Sequence, residues 1–342
     1  MVDGRSSTDE ASRRSPTMHD VAARAGVSHQ TVSRVLNGFA SIRPDTRDRV
    51  QEAIAELGYR RNLAARTLAT NRSRAIGVLA PVGSDHGPTS TVQAIEVAAR
   101  MAGYHPLVTT TPSDRQSVLS SIGFLLDQAV EALVVIAPQA RVLEALRERD
   151  LAVPIMTLQS LLTDSVTAVS VDQEQGARLA VQHLVDLGHR RIQHLAGPLE
   201  FFEADARRNA YDSTLAAAGI PTLPVFLGDW TAEAGTRAAA DIDEATTAVF
   251  SANDQMALGL ISGLAARGRR VPQDVSIVGF DDVPESRYYL PALTTVRQDF
   301  AQIGRLAVES LIRQIEGREA EPAPPVEPVL IIRDSTAPPR AS

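Results

Sequence analysis

The chain has 342 residues, 44% hydrophobic and 22% charged, which is ordinary for a globular protein and long enough for two or three compact units. It has no cysteine and no lysine, all 34 basic residues being arginine; disulfides, cysteine-based zinc sites, Schiff-base lysines and the P-loop lysine are excluded. The net charge of -7 hides an asymmetry, because residues 1–74 hold 13 Arg against 8 acidic residues while the remainder holds 21 against 33. The basic end is therefore the candidate nucleic-acid end.

Residues 1–16 contain arginines but no apolar stretch after them, so they read as a disordered lead-in to a cytoplasmic protein, without a secretory signal. No apolar run is long enough to span a membrane. Thr17 to Asp20 has the form of a capping box, and the helix it starts buries Val21, Ala22 and Ala25 and stops at Gly26. Ser28 caps a second helix, with Val32, Val35 and Leu36 facing inward and His29, Gln30, Ser33 and Arg34 outward, ending at Asn37-Gly38. Pro44 opens a third, carrying Val50, Ile54 and Leu57 and ending at Gly58. Three short helices over residues 17–61 make one small core.

From Ala75 onward, apolar strands alternate with amphipathic helices, the pattern of a parallel sheet with helical crossovers. Strands are expected at 75–81, 105–111, 132–138, 153–158, 168–171, 191–197, 247–253, 275–280 and 329–334. They are too many for one open sheet, so the fold class is α/β, with two doubly wound subdomains and ligand in the cleft between them. The first comprises 75–171 and 300–327, the second 172–299 and 328–336, with a tail at 337–342 and a linker at 62–74 after the head. No leucine heptad closes the chain, which favours a dimer over a tetramer.

A helix in the major groove presents only a few outward side chains near its N-terminus to base edges. His29, Gln30 and Arg34 meet that condition, Gln suiting adenine and Arg guanine, while Thr31, Ser33 and Asn37 are short donors for phosphates. A solvated polar helix face would look the same. The run DVAARAGVSHQTVSRVLNG at 20–38, continued by PDTRDRVQEAIAELGYRRNLAARTLAT at 44–70, resembles the DNA-binding head of the LacI family of bacterial repressors. The resemblance extends through the core to cover almost everything after Pro16. It implies operator reading by His29, Gln30 and Arg34, where an aromatic is common at the position of His29, backbone contacts by Thr46 and Asn62, and further DNA contacts by Thr17 and Ser28. Residues 62–70 are too short to hold a helix alone. The resemblance makes them a hinge that folds on DNA, with Ala65 allowing two hinges to approach and Leu68 wedging between base steps; a plain linker is the alternative.

The core resembles the periplasmic-binding-protein-like module of the same family through SVDQEQGARLAVQHLVDLGHRRIQHLAG at 170–197, AND at 252–254 and VGFDD at 278–282. A sugar site needs planar bidentate groups and an aromatic platform. The resemblance places Arg207 as the hydroxyl-gripping arginine, with Asn253 and Asp281 at strand ends and Trp230, the only tryptophan, as the platform. Helix capping by Asn253 and Asp281, and a merely half-buried Trp230, are the alternatives. Gln159, Glu203 and Gln298 are further candidates, and Phe201, Phe202 and Phe300 would widen the apolar surface. Glu200-Phe201-Phe202-Glu203 stands where sugar repressors of the family carry small polar residues, which points to a different ligand, a β-linked disaccharide being the expectation.

No nucleophile elbow, dinucleotide fingerprint or P-loop occurs, and His183, His189 and His194 do not share a helix face, so neither an enzyme nor a metal site is expected. The expected protein is a cytoplasmic, nucleoid-associated homodimeric repressor that needs no cofactor and leaves a palindromic operator when a sugar effector binds. A corepressor-dependent regulator and a sugar-binding transport protein are the alternatives.

Overall fold

A computed structural model describes residues 16–39, 41–60, 72–83, 85–136, 139–147, 151–158, 168–319 and 323–340. Contacts group the chain into two units, one ending at Ser73 and the other beginning at Arg74.

The first unit contains α1 (Met18–Ala25), α2 (His29–Leu36) and α3 (Pro44–Leu57). The capping box at α1 is complete: the Thr17 N–H donates to Asp20 Oδ2 at 2.7 Å and the Asp20 N–H to Thr17 Oγ1 at 3.4 Å. Gly26 takes the left-handed conformation at φ 65°, which turns the chain into α2, and Ser28 accepts from the Thr31 N–H at 3.2 Å. Val21, Val32 and Val50, one from each helix, are fully buried and form the centre of the core.

The second unit starts with a five-stranded parallel sheet, β1 (Ala75–Pro81), β2 (His105–Thr111), β3 (Ala132–Ile136), β4 (Ile155–Leu158) and β5 (Ala168–Val169), in the order β2-β1-β3-β4-β5. Its crossovers are α4 (His86–Met101), α5 (Arg115–Asp127) and α6 (Ala140–Arg147). A six-stranded sheet follows, β6 (Ile192–Ala196), β7 (Phe226–Leu227), β8 (Ala248–Ser251), β9 (Ser276–Asp281), β10 (Thr294–Arg297) and β11 (Val329–Ile331), in the order β11-β10-β9-β8-β6-β7. Only the β10–β11 pair is antiparallel. With it go α7 (Gln173–Asp186), α8 (Phe202–Ala217), α9 (Ala232–Ala238) and α10 (Asp254–Ala265). Helices cover both faces of each sheet, so β3, β6, β8 and β9 are buried along their whole length; β3 is apolar throughout, while Gln193 and His194 inside β6 are met by Pro224 O and Phe250 O.

Two strands, β7 and β10, fall outside the expected set. β7 has two residues, and β10 reads Thr-Thr-Val-Arg, its buried hydroxyls partnered by Thr336 at 3.2 Å and Asp254 at 2.5 Å. The last helix, α11 (Phe300–Ile315), returns to the first sheet and packs on α4 so closely that a Cβ on Gly304 would lie 2.5 Å from the Ala94 carbonyl carbon. Beside the β5–α7 crossing, the Val326 N–H donates to Ser170 O at 2.8 Å and the Asp172 N–H to Val326 O at 3.0 Å.

Asp282 ties the carboxyl-terminal segment to the second sheet. Its buried carboxylate meets Arg333 Nη2 at 2.5 Å and Arg297 Nε at 2.6 Å, and Arg333 also donates to Leu293 O and Ser286 Oγ. Burial pushes this carboxyl up, but the two guanidinium groups outweigh burial and hold it below the ordinary aspartate value of 3.8. A depressed carboxylate stabilises the fold above its unfolded pKa, and the contribution is lost as pH falls through the folded one. Asp282→Asn is expected to lower stability by about 1.5 kcal/mol at neutral pH. In thermal melts its gap to wild type should close as the pH is lowered below 4; a gap independent of pH would contradict this role.

Candidate functional site

On the head, His29, Gln30 and Arg34 are exposed along one side of α2, opposite the buried Val32. The His29 ring stacks on His19 at 4.6 Å, and the Arg34 guanidinium lies 5.9 Å from the Phe39 ring centre, so two of the three have neighbours that restrict their rotamers. Ser28 and Asn37 are exposed, whereas Thr17, Thr31, Ser33 and Thr46 are half-buried. The hydroxyls of Ser28 and Thr31 lie 2.9 Å apart within the cap, and the Thr17 hydroxyl donates to Asp20 at 2.7 Å. Asn62, Ala65 and Leu68 lie outside the described residues.

In the second unit, a cleft lies where the strands of both sheets end, the position expected of a small-molecule site. Arg207, Trp230, Asn253, Asp281, Glu203, Phe201 and Gln298 line it, together with Asp85, His86, Gly87, Pro88 and Gln173. Gln159 lies outside the described residues. Phe300 stands behind the wall, its ring edge-on to His86 at 5.7 Å. Phe202, expected to widen the apolar surface, instead packs into the cluster around Leu79, Leu133 and Leu143 of the first subdomain, because it starts α8 on the side away from Glu203 and Arg207.

A closed ring of polar side chains forms the floor. Arg207 Nε donates to Gln173 Oε1 at 2.9 Å, Gln173 Nε2 to Gln298 Oε1 at 2.8 Å, and Gln298 Nε2 to Asp281 Oδ1 at 2.7 Å. Asp281 Oδ1 then faces Arg207 Nη2 at 3.9 Å. Arg207 Nη1 also donates to Ala252 O, and its guanidinium sits 3.8 Å above the Phe280 ring. Burial lowers the pKa of this guanidinium and raises that of Asp281, each against their mutual attraction. A 3.9 Å pair is too loose to offset desolvation, and both groups retain hydrogen-bonding capacity toward the cleft.

Asn253 does cap α10, accepting from the Met256 N–H at 2.9 Å, but its amide also donates to Trp230 O at 3.0 Å, so one residue starts a helix and fixes the tryptophan. Asp281 caps no helix; Val283 precedes the 3-10 turn at Pro284–Tyr288, and it makes no side-chain cap. Trp230 and Asp281 are non-glycine residues at φ 69° and φ 112°, a strained backbone that surrounding structure must impose and that concentrates at functional sites. The Trp230 indole lies over Gly197, where a Cβ would fall 2.1 Å from the ring, and Phe201 meets it edge-on at 5.8 Å. Arg207, 5.7 Å away, completes an aromatic wall beside planar donors and acceptors.

Sequence reasoning missed Asp85, His86, Gly87, Pro88 and Gln173. The first four follow β1, and the rule that ligands gather beyond the carboxyl ends of parallel strands could have located them. Gln173 is the first residue of α7, within a motif noted above.

Among the described residues no group of His, Cys, Asp and Glu could hold a metal ion. His183 Nε2 meets Thr336 at 3.0 Å, and His189 is held by Thr247 and Ala337 O. His194 is sealed between Tyr211 and Phe250, where burial depresses its pKa to about 4.

Fold and cleft together are those of a regulator with a DNA-binding head and a periplasmic-binding-protein-like core. Residues 17–62 match the family described as bacterial regulatory proteins, lacI family, and residues 181–336 the periplasmic binding protein-like domain. The lactose operon repressor of Escherichia coli (strain K12) is 36% identical over 88% of this chain and 85% of its own length. The HTH-type transcriptional regulator CelR of Thermobifida fusca is 35% identical over 94% and 99%. Among solved structures, the lac repressor dimer bound to operator and the anti-inducer ONPF aligns with a TM-score of 0.84 at 34% identity, over 95% of this chain and all of that one. A CelR–cellobiose complex aligns at 0.70 and 31%, over 94% and 99%. The chain belongs to the lacI family and is a regulator of transcription, not an enzyme.

Proposed function

We propose that this protein, as a homodimer in the cytoplasm, represses transcription by holding a palindromic operator with two heads and releases it when a sugar occupies the cleft. The observation that carries the sugar reading is the ring Arg207–Gln173–Gln298–Asp281 facing Trp230. It supplies forked donors and acceptors for adjacent hydroxyls and an apolar face for the ring carbons. A β-linked glucose disaccharide is the effector we favour, in keeping with the cellobiose held by the related CelR. Asn62, Ala65 and Leu68 are the residues we assign to the hinge on DNA. Closure of the cleft around sugar would favour one arrangement of the core and shift the two heads away from their half-site spacing.

Trp230 is the only tryptophan, so its fluorescence reports on the cleft alone. Titration with cellobiose is expected to change the intensity saturably, and operator DNA should weaken the same titration by the factor by which sugar weakens operator binding. A saccharide panel that leaves the emission unmoved would overturn the sugar reading; equal sugar affinity with and without operator would overturn the coupling.

A further inference from the structure

We propose that Glu203 makes the cleft a charge filter, admitting saccharides that present hydroxyl or amino groups to it and excluding those that present carboxylate or phosphate. This rests on the sugar reading above. Glu203 is only 8% exposed, lines the cleft one turn before Arg207 on α8, and its Oε2 has no hydrogen-bond partner. A buried acceptor left without a donor is destabilising, so the position suits a donor supplied from the cleft.

The surroundings make that donor a neutral or cationic one. Asp85 from the start of α4 and Asp281 from the end of β9 face the same space, against a single guanidinium, Arg207, and the His86 imidazole. Arg207 is already engaged with Gln173, Ala252 O and, at 3.9 Å, Asp281. Three carboxyl groups thus meet one arginine, and an anionic ligand group would add like charge beside the buried carboxyls of Glu203 and Asp281. Burial pushes Glu203 up to about 7 against the pull of Arg207, so the filter sharpens as it loses its proton.

The test uses the full chain and Trp230 fluorescence, with cellobiose, the disaccharide of glucosamine and cellobiuronic acid as probes. Wild type is expected to bind cellobiuronic acid at least about 10-fold more weakly than cellobiose, with the gap widening from pH 6 to pH 8, through the value near 7 at which Glu203 titrates. In Glu203→Gln the gap should shrink to about 3-fold or less and lose its pH dependence, although Asp85, Asp281, Arg207 and His86 remain; Glu203→Asp, which keeps the charge, should keep the gap. Binding of cellobiose with an unchanged gap in Glu203→Gln overturns the filter alone, as does equal binding of all three probes by wild type. Failure of every probe to bind wild type overturns the sugar reading and the filter with it.

Discussion

Arg207→Ala should leave the protein on its operator at any sugar concentration while DNA binding in the absence of sugar persists. The guanidinium is the only cation in the cleft floor that is fixed on several sides, by Gln173, Ala252 O and the Phe280 ring. Hydrogen bonds to a charged group are worth about 1.5–3 kcal/mol each, so loss of two to a sugar weakens binding by two orders of magnitude or more. The fold should also lose stability, because Asp281 then stands buried without its arginine; about 3–5 kcal/mol is the usual cost of breaking a buried pair. The cost here should fall at or below the lower end, since the pair is 3.9 Å apart and burial already raises the Asp281 pKa, easing proton uptake. Arg207→Lys keeps the charge without the planar fork and should lose sugar binding with a smaller drop in melting temperature. Calorimetry with sugar, anisotropy with operator and a thermal melt separate these effects. A normal sugar response in Arg207→Ala would remove the residue from the site.

Alanine at Gln30 and at Arg34 should each cost about 1–3 kcal/mol of operator discrimination, or roughly 5- to 150-fold, with no loss of stability. Both side chains are exposed on α2 and contribute nothing to the core around Val32, so melting of the variants should match wild type. Arg34 should lose more, because its placement beside Phe39 limits the rotamers it must give up on binding. Specific and scrambled duplexes titrated at one salt concentration decide the matter, since phosphate contacts alone would weaken both equally. An equal loss on both duplexes would make Arg34 a phosphate ligand.

Legibility in the sequence followed the physics of burial. β1 has the bounds expected from its apolar run, because a parallel strand covered on both faces has no polar positions to blur it, and β2, a half-exposed edge strand, also kept its expected bounds. β10 escaped because its buried threonine hydroxyls are satisfied by Thr336 and Asp254, pairings made across 42 and 41 positions of sequence. In the cleft, seven of the ten expected residues line one space, since strand ends and one helix face fix them locally, while Phe202 turned into the apolar cluster of the first subdomain. Phe300 stands behind His86, Gln159 falls outside the described residues, and Asp85 and Gln173 went unseen because nothing in their local pattern says that two subdomains meet there. Asn253 took the helix-capping role weighed for it and also holds the Trp230 carbonyl, a contact that no spacing rule announces.

The hydrogen bonds between Val326 and residues 170 and 172, with α11 returning to α4, have a consequence for the order in which the chain can be made. The first sheet is translated by Val169, yet the helix that seals it is not synthesised until 300–315, and the second sheet waits for 329–331. Neither half can close while the nascent chain is still short of its last residues, whereas the head, complete by Leu57, has all three of its helices from the start. A ribosome that stalls late thus exposes a folded DNA-binding head on an unfinished sensor, a single head without its ligand control.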